Sequence, residues 1–216
     1  VLAPLCAQRS IDLMSAQDFA RRPLQWLALI ARRRATITYS PSFGYDLAVR
    51  RARKQASGAL DLSCLRLAGI GADMIQAAIL ERFAEAFAPH GFDRRAFFPS
   101  YGMAEVCVGL SFSEPFAGVR LDSFVDPQTG RARDFVLCGK VVAGHVVEIR
   151  DAEGGLLSGR SIGRLFVRGP SVMPGYIDQA PGEDGPIRDG WLDTGDLGYW
   201  CDVLRPHVAT VDDDQL

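Results

Sequence analysis

Pro99-Ser100-Tyr101-Gly102-Met103-Ala104-Glu105 is the stretch on which the reading of this chain turns. It follows Ala96-Phe97-Phe98, a short apolar run with the texture of a buried strand, so the seven residues are read as a loop leaving a strand end. Open α/β sheets bind ligands at the carboxyl ends of their strands. Tyr101 offers a flat face for a base, Gly102 lets backbone approach a phosphate, and Glu105 can hold a hard cation through oxygen. The same residues also fit a plain turn with a half-buried Tyr and a solvated Glu at a helix start.

Upstream, the pattern alternates between helices and strands. Ser15 to Asp18 supplies cap-type residues, and Pro23 suits a first helical position. Leu24, Leu27 and Ala31, with Trp26 and Ile30 beside them, form an apolar helical face that runs to about Arg33. Arg32-Arg33-Arg34 closes it, and cations suit a helix C-terminus better than they argue for phosphate binding. Ala35 to Tyr39 is a β-branched strand stopped by Ser40-Pro41, and Phe43 to Lys54 is helical in character, ending in Gln55-Ala56-Ser57-Gly58. A strand within Leu62 to Ile70 leads to Gly71-Ala72-Asp73. Asp73 with Gln76 reads as a capping box, followed by a helix whose Ile79, Phe83 and Phe87 share a face. This alternation predicts an α/β fold, a parallel sheet with helices packed on it. After about Gly118 the texture changes to short strands at Val136 to Cys138, Val146 to Ile149 and Leu165 to Val167, separated by turns rich in Gly and Pro. The organisation expected is an α/β subdomain over 1–115, a small β-rich barrel-like subdomain over 116–200, and an irregular tail over 201–216.

Composition narrows the class. With 216 residues, 48% of them hydrophobic, the chain can bury a real core, and its net charge of −2 gives no footprint for nucleic acid. No apolar run is long enough to span a bilayer, and no signal peptide is visible. Cys6, Cys64, Cys107, Cys138 and Cys201 lie far apart, which argues against a zinc site or a disulfide framework and fits a reducing cytoplasm. Cys107 has no orienting His nearby in sequence and is read as a small buried thiol. The start at Val1-Leu2-Ala3-Pro4-Leu5 and the ending in Arg205-Pro206-His207 and Asp212-Asp213-Asp214-Gln215-Leu216 read as the ends of a piece of a longer chain.

Two further stretches join the first. Gly71-Ala72-Asp73 leaves a strand end, and Gly190-Trp191-Leu192-Asp193-Thr194-Gly195-Asp196 places a carboxylate in a turn between β segments. In this order the three stretches resemble the nucleotide site of the adenylate-forming superfamily, which holds acyl-CoA ligases, luciferases and peptide-synthetase adenylation domains. The likeness runs to about Trp200 and is nearest the fatty acyl-AMP ligase branch, where Ala often stands at the position of Ala104.

The resemblance implies an activity and a set of roles. The expected cofactors are ATP and Mg2+, with a long-chain fatty acid as substrate and an acyl carrier protein or polyketide synthase as acceptor. Tyr101 would stack on adenine, Gly71, Ala72 and Asp73 would border the base, and Gly102, Met103 and Ala104 would complete the loop. Glu105 would coordinate the metal and Asp196 would accept from the ribose hydroxyls. Asp73 keeps its other reading as a helix cap. Ser40-Pro41-Ser42-Phe43-Gly44-Tyr45 resembles a segment beside the acyl tunnel, and its aromatics also suit an ordinary core. Gly163 to Pro170 and Gly175-Tyr176 are read as scaffold.

Two departures accompany the match. No Gly/Ser/Thr-rich phosphate loop is present, and the only lysines, Lys54 and Lys140, match no lid motif. No catalytic residue is therefore assigned, and the isolated chain is expected to be inactive. An acyl-CoA ligase of the same superfamily and a non-catalytic remnant are the alternatives.

Overall fold

Apolar residues recurring at helical spacing between β-branched runs build the first half as alternating helices and strands. The computed structural model describes residues 2–53, 60–125, 130–177, 185–201 and 208–211. In chain order the first half holds α1 (Leu2–Cys6), α2 (Ala16–Arg21), α3 (Leu24–Arg33), β1 (Ile37–Tyr39), α4 (Ser42–Ala52), β2 (Leu67–Ile70), α5 (Ala77–Phe87) and β3 (Phe97–Tyr101). The β-rich second half holds β4 (Ser111–Phe112), β5 (Leu121–Val125), β6 (Ala132–Val136), β7 (Lys140–Val141) and β8 (Val146–Arg150). It continues with β9 (Gly163–Arg168), β10 (Ile187–Arg188), β11 (Trp191–Trp200) and β12 (Val208–Val211).

The first sheet has the order β1-β2-β3-β4-β7. β1, β2 and β3 pair in parallel, whereas β4 and β7 are added antiparallel, so the sheet is mixed. The physical reason is connection length. The loop from β3 to β4 has no room for the crossover helix that a parallel neighbour needs. The second sheet has the order β10-β11-β9-β8, with β12 also on β11, and it curls as a half-barrel. β5 and β6 form a separate hairpin. β7 lies beyond residue 116 yet joins the first sheet, so the two halves share a strand.

The tail expected to be irregular contains β12. Its Ala209 and Val211 bury against Phe124, Phe135 and Tyr199, and that burial holds the strand on β11. Arg205-Pro206-His207, the acidic residues after Val211, Lys54 and the Gln55 to Gly58 stretch lie outside the described residues.

An aromatic cluster centres the first half. Phe83 on α5 meets Tyr45 edge-on at 4.9 Å and Phe92 at 5.0 Å, with Phe87 at 4.6 Å. Two polar tips within the cluster find partners, as buried tips must. Tyr45 donates its hydroxyl to the Gly69 carbonyl at 3.0 Å, and Trp26 Nε1 donates to Thr38 Oγ1 at 2.9 Å. The expected Ile79-Phe83-Phe87 face is the buried face of α5. On α3 the buried stripe is Trp26, Leu27 and Ile30.

Helix starts differ from the sequence pattern. Ser15 caps α2 by accepting from the Asp18 amide at 3.1 Å, and Pro23 sits just before α3 rather than as its first residue. The Asp73–Gln76 capping box does not form, because α5 begins only at Ala77. Asp73 instead accepts from the Ser42 amide at 3.2 Å, tying the loop after β2 to the start of α4.

A polar clamp fastens the β5–β6 hairpin to the second sheet. Asp122 accepts from the Tyr199 hydroxyl at 2.7 Å and from Arg160 at 2.8 Å. Burial alone raises the Asp122 carboxyl, but the bonds from Arg160 and Tyr199 outweigh it and leave it below the ordinary value. A depressed folded value means that the contribution is present above the unfolded pKa of about 4 and is lost as pH falls through the folded one. Asp122→Asn should therefore melt lower than wild type at pH 7, with the gap closing as pH drops below about 4 in calorimetry. Phe83→Ala, which empties the aromatic centre, should cost about 3–5 kcal/mol in urea unfolding.

Candidate functional site

The carboxyl ends of β2 and β3 lie side by side. Ile70 is the register partner of Pro99, so Gly71 and Ala72 emerge next to Ser100 and Tyr101. Ser100 Oγ donates to the Ile70 carbonyl at 3.0 Å and fastens the two strand ends. Ala72 adopts φ +69°, an uncommon left-handed conformation for a residue with a Cβ. Pro99, Ser100 and Tyr101 belong to β3 itself, so the loop begins at Gly102, not at Pro99. A Cβ on Gly102 would lie 2.0 Å from the Val108 carbonyl oxygen, so close backbone packing already demands glycine here. The phosphate-approach reading of Gly102 therefore has a structural competitor.

Asp196 arrives from the second sheet. Thr194-Gly195-Asp196 is a bulge within β11 and not a turn between strands, and the register against β9 shifts between Asp193 and Leu197. Gly195 permits the bulge with φ +80°. Thr194 Oγ1 donates to the Leu165 carbonyl at 2.9 Å and accepts from the Asp196 amide at 3.1 Å. A bulge re-aims side chains, and here Asp196 Oδ2 accepts the Tyr101 hydroxyl at 2.7 Å. Burial, the Asp196 charge and this bond all push the Tyr101 phenol far above its ordinary value, so it stays a donor.

Glu105 sits on a 3-10 turn, Ala104–Val106, that a second segment straps down. Tyr176 donates its hydroxyl to Glu105 Oε1 at 2.8 Å, and the Met173 amide donates to the Glu105 carbonyl at 2.8 Å. Ser171 Oγ reaches the Val106 carbonyl at 3.1 Å and His145 Nε2 at 2.6 Å. The Tyr176 bond holds the Glu105 carboxyl below its ordinary value. Tyr176, Ser171 and His145 are site-supporting residues that the sequence pattern does not mark. Gly175-Tyr176 reads as scaffold, and its contact lies 71 positions away along the chain.

The other candidates separate. Met103 packs on the second core cluster, while Ala104 is exposed. Cys107 is exposed at φ +56°, not buried, because it closes the 3-10 turn facing outward. Tyr45 is core and Phe43 is 56% exposed, which divides the pair expected to share a wall. No cysteine is in a disulfide. No helix among the described residues is long and apolar enough to cross a membrane.

The fit of a divalent cation follows from the donors. Among the described residues no group of three His, Cys, Asp or Glu side chains could hold a metal unaided. A single ionised Glu105 suits Mg2+, which keeps waters and takes one or two carboxylates together with substrate phosphates.

The Gly71-Ala72 turn, Tyr101 and Asp196 thus meet at the carboxyl ends of β2 and β3, and the comparisons with known proteins match this fold. Residues 1–177 match the family model described as AMP-binding enzyme. The chain belongs to that family, the adenylate-forming enzymes. A Caulobacter vibrioides protein provisionally named an acyl-CoA synthetase is 44% identical over 94% of this chain and 38% of its own length. The long-chain-fatty-acid–AMP ligase FadD26 of Mycobacterium tuberculosis is 32% identical over 94% of this chain and 39% of its own. A structure from work on fatty acyl-adenylate ligases of E. coli and L. pneumophila superposes with TM-score 0.90 at 39% identity. It covers 98% of this chain and 40% of that one. The chain thus spans about two fifths of the length of the relatives it matches.

Gly102→Ala should destabilise the chain by about 1–3 kcal/mol, the usual cost of overpacking, as read by urea unfolding. Tyr176→Phe should raise the Glu105 carboxyl pKa relative to wild type in a carbon-13 NMR titration, because the bond that lowers it most is removed.

Proposed function

We propose that this chain forms the nucleotide-facing part of an enzyme that activates a long-chain fatty acid with ATP and Mg2+. The products are an acyl-adenylate and pyrophosphate. One observation carries the proposal: Tyr101 and Asp196, 95 positions apart, share a hydrogen bond beside the Gly71-Ala72 turn. Stacking on an aromatic face, an acceptor for ribose hydroxyls and close backbone approach are the three things an adenosine needs. In this proposal Tyr101 provides the face and Asp196 the acceptor. Gly71, Ala72 and Asp73 border the base, and Gly102, Met103 and Ala104 continue the wall toward the phosphates. Glu105 holds the cation, which when bound neutralises phosphate charge. The fatty-acid carboxylate oxygen attacks the α-phosphorus as the bond to pyrophosphate breaks, and pyrophosphate leaves with the electron pair. Positioning and charge neutralisation dominate such a transfer. The likeness to fatty acyl-adenylate ligases and to FadD26 supports the acid class.

The acyl group then passes to a thiol, which we assign to an acyl carrier protein, free or within a polyketide synthase, in the cytoplasm. The Caulobacter relative favours a second reading in which coenzyme A is the acceptor. Supplying both thiols separately to the longer parent protein distinguishes them, and rapid acyl-CoA formation would favour the second.

We further propose that the 216-residue chain alone does not turn over, because its sequence lacks a glycine-rich phosphate loop and a matching lid lysine. Fatty-acid-dependent exchange of labelled pyrophosphate into ATP should be absent, and its detection would reverse this. Titration with a non-hydrolysable acyl-adenylate mimic should saturate, and Tyr101→Ala and Asp196→Ala should each weaken it roughly tenfold or more. A folded chain that binds nothing would instead be a non-catalytic remnant.

A further inference from the structure

We infer that the phenol oxygen of Tyr101, separately from its ring, is a positioning group that aims Asp196 at a ribose diol and so makes the site select ribonucleotides over deoxyribonucleotides. This rests on the nucleotide reading above and assigns part of its specificity to one hydroxyl.

The terminal torsion of an Asp is broad, so its own rotamer preferences do not fix the plane of the carboxylate. The bulge fixes the backbone of Asp196 through Thr194 Oγ1 but leaves that plane open. Tyr101 closes it with the 2.7 Å bond to Oδ2, and it is the one side-chain donor to this carboxylate among the described residues. The phenol cannot swing freely, because the ring packs against both the first and the second core clusters. Its raised pKa, set first by burial, keeps the proton on the phenol and the direction of the bond fixed. An ionised carboxylate offers about four lone-pair sites, of which the phenol takes one. Oδ1 and the remaining Oδ2 site are then left at a defined angle, as two neighbouring hydroxyls require. A carboxylate without the phenol could turn, and it would bind one hydroxyl nearly as well as two.

The test is calorimetric titration of the chain with AMP, 2′-deoxy-AMP and 3′-deoxy-AMP, for wild type, Tyr101→Phe, Asp196→Asn and the double variant. Wild type should prefer AMP by roughly tenfold or more over each deoxynucleotide, the scale of one bond to a charged acceptor. Tyr101→Phe keeps the ring and should still bind AMP, with the preference reduced to about threefold or less. In the double variant the Phe should add nothing to the loss of preference caused by Asp196→Asn, because the two groups act as one unit. Asp196→Glu keeps the charge but moves it off the phenol. It should show the same loss, and it serves if Tyr101→Phe fails to fold. A wild-type ratio retained in Tyr101→Phe or in Asp196→Glu overturns the inference alone, as does tighter AMP binding by Tyr101→Phe. Failure of folded wild type to bind any of the three nucleotides overturns the nucleotide reading and this inference with it.

Discussion

The bond from Tyr101 to Asp196 joins two sheets that also meet through apolar packing. It ends β3 of the mixed sheet on one side and caps a bulge in β11 of the half-barrel on the other. Its strength comes from chemistry as much as distance, since an ionised acceptor makes a hydrogen bond worth about twice a neutral one. The geometry at this junction rests on two supports. The first core cluster packs against the Tyr101 side chain, and the Thr194 hydroxyl holds the β11 backbone.

The loop after β3 is held from outside in the same manner. Met173, Ser171 and Tyr176 each reach the 3-10 turn that carries Glu105, and His145 steadies Ser171. A short 3-10 turn has little stability of its own, so a carboxylate on it needs such partners to point one way. In both places a tyrosine hydroxyl faces the carboxylate that the nucleotide reading uses, Tyr101 at Asp196 and Tyr176 at Glu105. Each carboxylate is thereby oriented by a tyrosine that acts as the donor.

The sequence of this protein shows clearly what local periodicity can encode. The Ile79-Phe83-Phe87 face, the apolar start of β3 at Phe97 and Phe98 and the β-rich texture of the second half follow from spacing and turn composition. Three stretches in order also point to the family that the model match defines. The errors are equally instructive. Asp73 looks like a helix cap because its neighbours satisfy a local rule, but it bonds to Ser42, which lies 31 positions away. Thr194-Gly195-Asp196 looks like a turn because Gly and Asp favour turns, and the same residues favour a bulge inside a longer strand.

By itself the sequence determined the alternating helices and strands of the first half, the apolar faces that bury them and the chemical types gathered at the strand ends. These depend on backbone preference and side-chain hydrophobicity over a few residues. The tertiary structure alone decided that the sheet is mixed, that Cys107 faces outward, and that Tyr176 serves Glu105 while Tyr101 serves Asp196. Each of those depends on which distant segments pack together, and no local pattern carries the hydrogen bonds made across 71 and 95 positions of chain.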